Sequence, residues 1–257
     1  MTDASVMKGF NWQANVLIPM AGHGQRFKDA GYKPIKPLID VDGLPMIVRV
    51  LENLMPVAHK IAVIVLAEHE AQVREVLDHH YAGVHVVVLA HPTEGAAETV
   101  IKGFNSLSKE DESWLKQPLL VANCDQYMDW SPSHFTGYMH RSHAAGGIVT
   151  FKASGPKWSY VTQDLSGLVT SVVEKRQVSN DATVGVYWFS QGQYMAHAVF
   201  EMCQKDIRTN GEYYFAPCYN EIIFKSLPVR TYPIPRMYPM GTPADLEATI
   251  ETGLFAE

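Results

Sequence analysis

The sequence predicts an α/β fold, a doubly wound and mostly parallel (mixed) sheet continued by a smaller α+β lobe. Short apolar runs at 16–19, 61–67, 84–89, 119–122 and 147–151 read as strands buried on both faces. Helical patterns lie between them, and strands alternating with helices imply βαβ units. Beyond residue 150 the texture changes: "YVTQDLSGLVTSVVEKRQVSNDATVGVYWFS" alternates and holds Gly and Asn turn signals, as antiparallel hairpins do.

The elements follow in order. "NVLIPMAGHGQRF" (15–27) is a buried strand that breaks into glycines and ends near an arginine. "MIVRVLENLM" (46–55) is a helix after Pro45, and "HEAQVREVLDHH" (69–80) is a helix with apolar residues at 73, 76 and 77. "HPTEGAAETV" (91–100) follows a strand and places small residues where a helix starts, with Thr93 as its candidate cap. "PLLVANCDQYMDW" (118–130) is a strand ending in an acid, Asp125. No linker, repeat or break in composition divides the chain. It reads as one continuous domain, 1–257, with a core over 15–150 and a second lobe and C-terminal segment over 151–257.

Composition narrows the function. Apolar residues make up 47% and charged residues 19%, as in soluble globular proteins. The net charge is −6 and no Lys/Arg-rich block occurs, so neither nucleic acid nor an anionic membrane is an expected partner. No window approaches the roughly 20 apolar residues of a spanning helix. "MTDASVMKGFNW" lacks the apolar core of a secretory leader, so a cytoplasmic location is expected. Cys124, Cys203 and Cys218 are odd in number and widely spaced, as free thiols are. Of eleven histidines, the grouping His134, His140 and His143 reads as a partly exposed helix face, not a metal site. A single sequence does not separate core from interface, so a homo-oligomer is compatible with it.

The loop "AGHGQRF" fails two phosphate-binding templates. The dinucleotide fingerprint needs a glycine where Phe27 stands, and the P-loop needs a Gly-Lys-Ser/Thr that is absent. What remains is a strand, the stretch Gly22 to Arg26, and a segment rich in Lys and Pro that includes Lys36. Glycine-rich backbone lets N–H groups face phosphate oxygens, while Arg26 and Lys36 bring positive charge to the same place. A lone G-x-G reads more readily as a turn than as a phosphate grip.

These glycines are not alone. A-G-x-G-x-R-F, followed by K-P-L-I ten residues after the arginine and by V-D-G-L-P-M-I, resembles the signature of the sugar nucleotidyltransferases, the nucleoside-diphosphate-sugar pyrophosphorylases. The resemblance implies a Rossmann-like fold that joins an NTP to a sugar 1-phosphate or related phosphorylated acceptor, releasing pyrophosphate. It implies that Met20, Ala21, Gly22 and Gly24 wrap the nucleotide, that Arg26 holds the phosphates that leave, and that Lys36 assists. "HPTEGAAETV" resembles, at Gly95, Ala96 and Ala97, the family's Gly-Thr-Ala segment, with Ala96 replacing threonine, and implies that Glu94, Gly95 and Ala96 meet the nucleotide. Asp125 stands where the family holds Mg²⁺. Glu174 would contact the acceptor and Lys175 its phosphate, Gly185 would let the acceptor approach the backbone, and Glu212 resembles an acceptor-side residue. Near the C-terminus, Met240 precedes Gly241 where many members carry a second metal-binding Asp, and Asp245 is expected to cap the following helix. Two readings of other classes stand beside this one: a metal-dependent glycosyltransferase with "NCD" as its acidic motif, and a catalytically weak nucleotide-binding regulator.

Overall fold

The computed structural model describes residues 12–256, so the stretch 1–11, read above for a leader, lies outside the described residues. Strand β1 (Ala14–Pro19) leads into the short helix α1 (Gln25–Asp29), and a ribbon of β2 (Asp40–Val41) and β3 (Leu44–Pro45) feeds α2 (Met46–Leu54). Then come β4 (Ala58–Leu66), α3 (Glu70–His80), β5 (His85–Leu89), α4 (Ala96–Glu110), α5 (Ser113–Lys116) and β6 (Leu119–Ala122). The later half holds β7 (Gln126–Asp129), α6 (Pro132–Arg141), β8 (Gly146–Lys152), β9 (Ser159–Gln163), β10 (Val169–Glu174) and β11 (Asp181–Phe189). It closes with α7 (Gly192–Gln204), α8 (Tyr219–Phe224), β12 (Val229–Pro233), β13 (Arg236–Pro239) and α9 (Pro243–Glu251).

Nine of these strands form one mixed sheet, in the order β10-β9-β11-β6-β1-β4-β5, with β8 on β11 and β12 on β8. β1 pairs in parallel with β4 and β6, and β4 with β5. β11 runs antiparallel to β6, β8 and β9, and β10 antiparallel to β9. The second lobe is therefore stitched to the first through β11 on β6, with no separate sheet.

Side chains alternate across a strand, and the apolar runs consequently serve two cores. Val16, Ile18, Val63, Val65, Leu120 and Ala122 face one side with α2, α3 and α6. Leu17, Ala62, Ile64, Leu119 and Val121 face the other with α4, α7 and α8. Helices on both faces are what doubly wound means.

Two strands differ from expectation. β5 is half-buried, not buried on both faces, because it is the last strand of its edge. β8, grouped above with the parallel strands, runs antiparallel to β11 and parallel to β12. An apolar run reports burial, not direction or place in the sheet.

The chain moves outward from β1 to β4 and β5, then returns to lay β6 on the other side of β1. Loops leaving the carboxyl ends of β1 and β6 thus diverge. A crevice at such a switch point is where open α/β sheets collect ligands.

Candidate active site

A cleft of about 1100 Å³ opens at this crevice, and each site residue singled out in the sequence lines it. Its first wall is the loop after β1. Met20 and Ala21 line it and are buried, and the Met20 N–H is taken by the Ile64 carbonyl at 2.7 Å. A side chain added at Gly22 would meet open space, whereas one at Gly24 would lie 3.1 Å from Lys36 Cβ. Arg26 is exposed on α1, and its guanidinium makes no hydrogen bond or ion pair among the described residues.

Lys36 opens a single 3-10 turn, and its ammonium donates to Asp125 Oδ2 at 2.5 Å. Burial works to lower the Lys36 pKa, but Asp125 and Cys124 together outweigh it and the net shift is upward. Asp125 itself leaves β6 beside the turn after β13: the Met240 N–H donates to its backbone carbonyl at 2.8 Å, and Gly241 packs against its carboxylate. Burial pushes the neighbouring Cys124 thiol up to about 11. The Met240 side chain is fully buried in the core. That position gives the cleft no ligand.

Thr242, not Asp245, caps α9, accepting the Asp245 N–H at 3.2 Å, while Asp245 stands in the first turn and its Oδ2 accepts the Thr242 hydroxyl at 2.7 Å. The same carboxylate also reaches the cleft, where Lys157 from the β8–β9 loop pairs with it at 2.5 Å. Burial opposes its ionisation, yet Lys157 and Thr242 hold it below the usual carboxylate range.

The second wall is the start of α4. Gly95 is the cap residue here, not Thr93, whose hydroxyl instead bonds the Gly95 carbonyl at 3.1 Å and Thr99 Oγ1 at 2.5 Å. Gly95 has φ 148°, and a Cβ there would stand 2.5 Å from the Tyr213 carbonyl oxygen, so the missing side chain is filled by the Tyr213 backbone. The Tyr213 N–H donates to Glu94 and its carbonyl accepts from Ala97, at 2.9 and 3.0 Å. The Glu94 carboxylate pairs with Arg208 at 2.6 Å, while Ala96 opens α4 at the cleft.

The third wall comes from the second lobe. Glu174 ends β10 and accepts a hydrogen bond from the Ser159 hydroxyl. Burial raises its pKa despite that bond and the nearby Lys175 charge. Lys175 follows in the left-handed region, φ 53°, and its ammonium meets the Tyr214 hydroxyl. Glu212 is exposed on the loop before Tyr214. Gly185 lines the cleft from β11. At φ 86° it sits where the register of β11 on β8 shifts, and an added Cβ would collide with the Asn123 side chain.

Asn123, Lys157, Ser159, Arg208 and Tyr214 also line the cleft and were not singled out in the sequence. Asn123 lay inside the quoted strand end "PLLVANCDQYMDW", and Tyr214 stands two residues after Glu212; Lys157, Ser159 and Arg208 carry no local signal. The histidine grouping disperses. His134 and His140 lie on α6, bonded to the Tyr232 hydroxyl at 2.7 Å and packed on Trp188 respectively, while His143 follows the helix at φ 51°. Among the described residues no group of three or more His, Cys, Asp and Glu is placed to hold a metal.

A doubly wound sheet whose switch-point cleft sets a glycine loop and cations beside a strand-end carboxylate defines a nucleotide-handling transferase architecture. The chain belongs to the MobA-like NTP transferase family, whose domain matches residues 16–180. It is 27% identical over 180 residues to the mannose-1-phosphate guanylyltransferase catalytic subunit beta of Drosophila pseudoobscura pseudoobscura, covering 68% of this chain and 47% of that one. The Drosophila melanogaster protein of the same name is 25% identical over 178 residues, with the same coverage. The chain thus spans about half the length of these curated relatives. In fold it is similar to a nucleoside-diphosphate-sugar pyrophosphorylase from Vibrio cholerae RC9, with TM-score 0.78 and 23% identity over 92% of this chain and 99% of that one. It is likewise similar to a UDP-glucose pyrophosphorylase complexed with UDP-glucose, with TM-score 0.73 and 14% identity over 93% and 98%.

Proposed function

We propose that the protein is a nucleotidyltransferase that joins an NTP to a sugar 1-phosphate, or a related phosphorylated acceptor, giving the NDP-linked product and pyrophosphate. The observation that carries this reading is a pair of cation positions in one cleft. Arg26 and Lys36 come from the β1 side, whereas Lys175 comes from β10, with β6, β11 and β9 between. Two separate cation sites suit two phosphate-bearing substrates that meet between them.

An acceptor phosphate is already an anionic nucleophile and pyrophosphate is already a good leaving group. Positioning and charge neutralisation therefore carry the reaction. Lys175 holds the acceptor phosphate while one of its oxygens attacks the α-phosphorus; the new P–O bond forms as the α–β bridge breaks, and Arg26 and Lys36 take up the charge growing on the pyrophosphate. Residues 15–150 would serve the nucleotide and 151–257 the acceptor, as parts of one unit.

The donor chemistry admits Mg²⁺. Asp125 offers a hard carboxylate oxygen in the cleft, and triphosphate oxygens and water would complete the shell, as is usual for this ion. Bound there, the ion would neutralise phosphate charge. Among the described residues no helix is long and apolar enough to cross a membrane; we place the enzyme in the cytoplasm, working on small soluble substrates.

The test is a pyrophosphate-release screen with Mg²⁺, crossing GTP, CTP, UTP, dTTP and ATP against sugar 1-phosphates and small phosphorylated alcohols. GTP with mannose 1-phosphate goes first, because the curated relatives are named for that pair. One NTP and acceptor pair releasing pyrophosphate is the expected result. A glycosyltransferase or a nucleotide-binding regulator would release none.

A further inference from the structure

The geometry points to Tyr214 as a positioning residue that holds the Lys175 ammonium in register with the nucleotide side of the cleft, an inference that rests on the reading just given. A lysine ammonium ends a flexible four-carbon stem and does not place itself. Here both ends of the side chain are fixed. The Lys175 backbone N–H donates to the Trp158 carbonyl at 3.0 Å, anchoring the residue to the turn into β9. At the tip, the Tyr214 hydroxyl accepts a hydrogen bond from the ammonium, which also stands 4.3 Å from the Tyr214 ring centroid. An ammonium has three donors. Tyr214 takes one and leaves the others for a phosphate.

Tyr214 is itself tied to the opposite wall through its neighbour. Tyr213 is bonded on both backbone sides to Glu94 and Ala97, and the bare Cα of Gly95 lets the two segments touch. Arg208 closes the arrangement: its guanidinium lies 3.9 Å from the Tyr213 ring centroid and pairs with Glu94 and Asp206 at 2.6 Å each. The path from the start of α4 to the Lys175 ammonium therefore runs through two adjacent tyrosines. In-line transfer depends on small errors of placement between the two substrates, and this path sets that placement.

The experiment compares wild type, Tyr214→Phe and Tyr214→Leu, each alone and with Lys175→Met, by pyrophosphate-release kinetics and thermal melting. Tyr214→Phe keeps the ring and loses the hydroxyl. Its acceptor KM is expected to rise about tenfold, the scale of one hydrogen bond to a charged group, with the NTP KM and Tm unchanged. Tyr214→Leu loses the ring as well and is expected to go further in the same direction. In the Lys175→Met background neither change should add a further loss, because the group being positioned is gone. A merely structural tyrosine would shift Tm and both KM values together. Wild-type acceptor KM in Tyr214→Phe, or an undiminished effect in the Lys175→Met background, overturns the inference alone. Absence of pyrophosphate from the wild type across the whole screen removes the functional reading and this inference with it.

Discussion

Arg26 and Lys36 bring like charge to one corner of the cleft, yet they are held differently. Lys36 is paired with Asp125, their side chains 19% and 23% exposed, whereas Arg26 has no partner within hydrogen-bond reach among the described residues. Lys36→Met would strand a mostly buried carboxylate and should cost about 1–3 kcal/mol of stability by urea denaturation. Arg26→Met should stay within about 0.5 kcal/mol of wild type, as exposed substitutions do. On the proposed role of both cations at the leaving phosphates, each change should lower kcat, Arg26→Met on the order of 100-fold. Wild-type turnover in Arg26→Met would remove it from the leaving-group site. Glu174 gives a pH signature. Burial raises its pKa above the ordinary 4.5, so the folded state binds this proton more tightly than the unfolded chain does. Its contribution is fully present below the unfolded value and is lost as pH rises through the folded one. Glu174→Gln, which stays neutral, should therefore match wild type in Tm well below the ordinary value, gain on it as pH rises from that value through the raised pKa, and keep a constant margin above. A constant Tm difference across pH would contradict the burial account.

At the scale of elements, two glycines at strand-to-helix junctions separate packing from function. An alanine at Gly22 meets open space, so Gly22→Ala should keep its Tm while its methyl group raises the NTP KM. Gly95→Ala must both adopt φ 148° and displace the Tyr213 backbone, and should lose about 2–4 kcal/mol by denaturant unfolding. A stable Gly95→Ala would mean that the contact between α4 and the 213–214 segment yields easily. The sequence distinguishes these two only in part. Gly22 stands in a dense local signature after a strand, so its place at the cleft is legible from a few neighbouring letters. The partner of Gly95 is more than a hundred residues away, and hydrophobic periodicity carries no record of which segments meet. The same holds for Gly185 and Asn123, for Glu94 with Arg208, and for Lys157 with Asp245. Each is a long-range pairing that no local pattern of residues records.

For the whole molecule, alternating strands and helices fixed the parallel half, and alternation after residue 150 announced the antiparallel half. What they left out was the seam. β11 pairs with β6, β8 and β9, so the residues after β10 that we assign to the acceptor and the loop after β1 that we assign to the nucleotide open onto one cleft through one continuous sheet. A rigid scaffold shared by both walls fits a reaction that depends on placement more than on acid or base groups. The claim tested most directly is that an acceptor phosphate oxygen attacks the α-phosphorus of the NTP. The measurement is transfer from an acceptor whose phosphate oxygens carry ¹⁸O, read by ³¹P NMR and mass spectrometry of the products. The expected result is a product that keeps the label in its new P–O–P bridge, together with an equal amount of unlabelled pyrophosphate. Label in the released phosphates, or consumption of NTP with no bridged product, would contradict it.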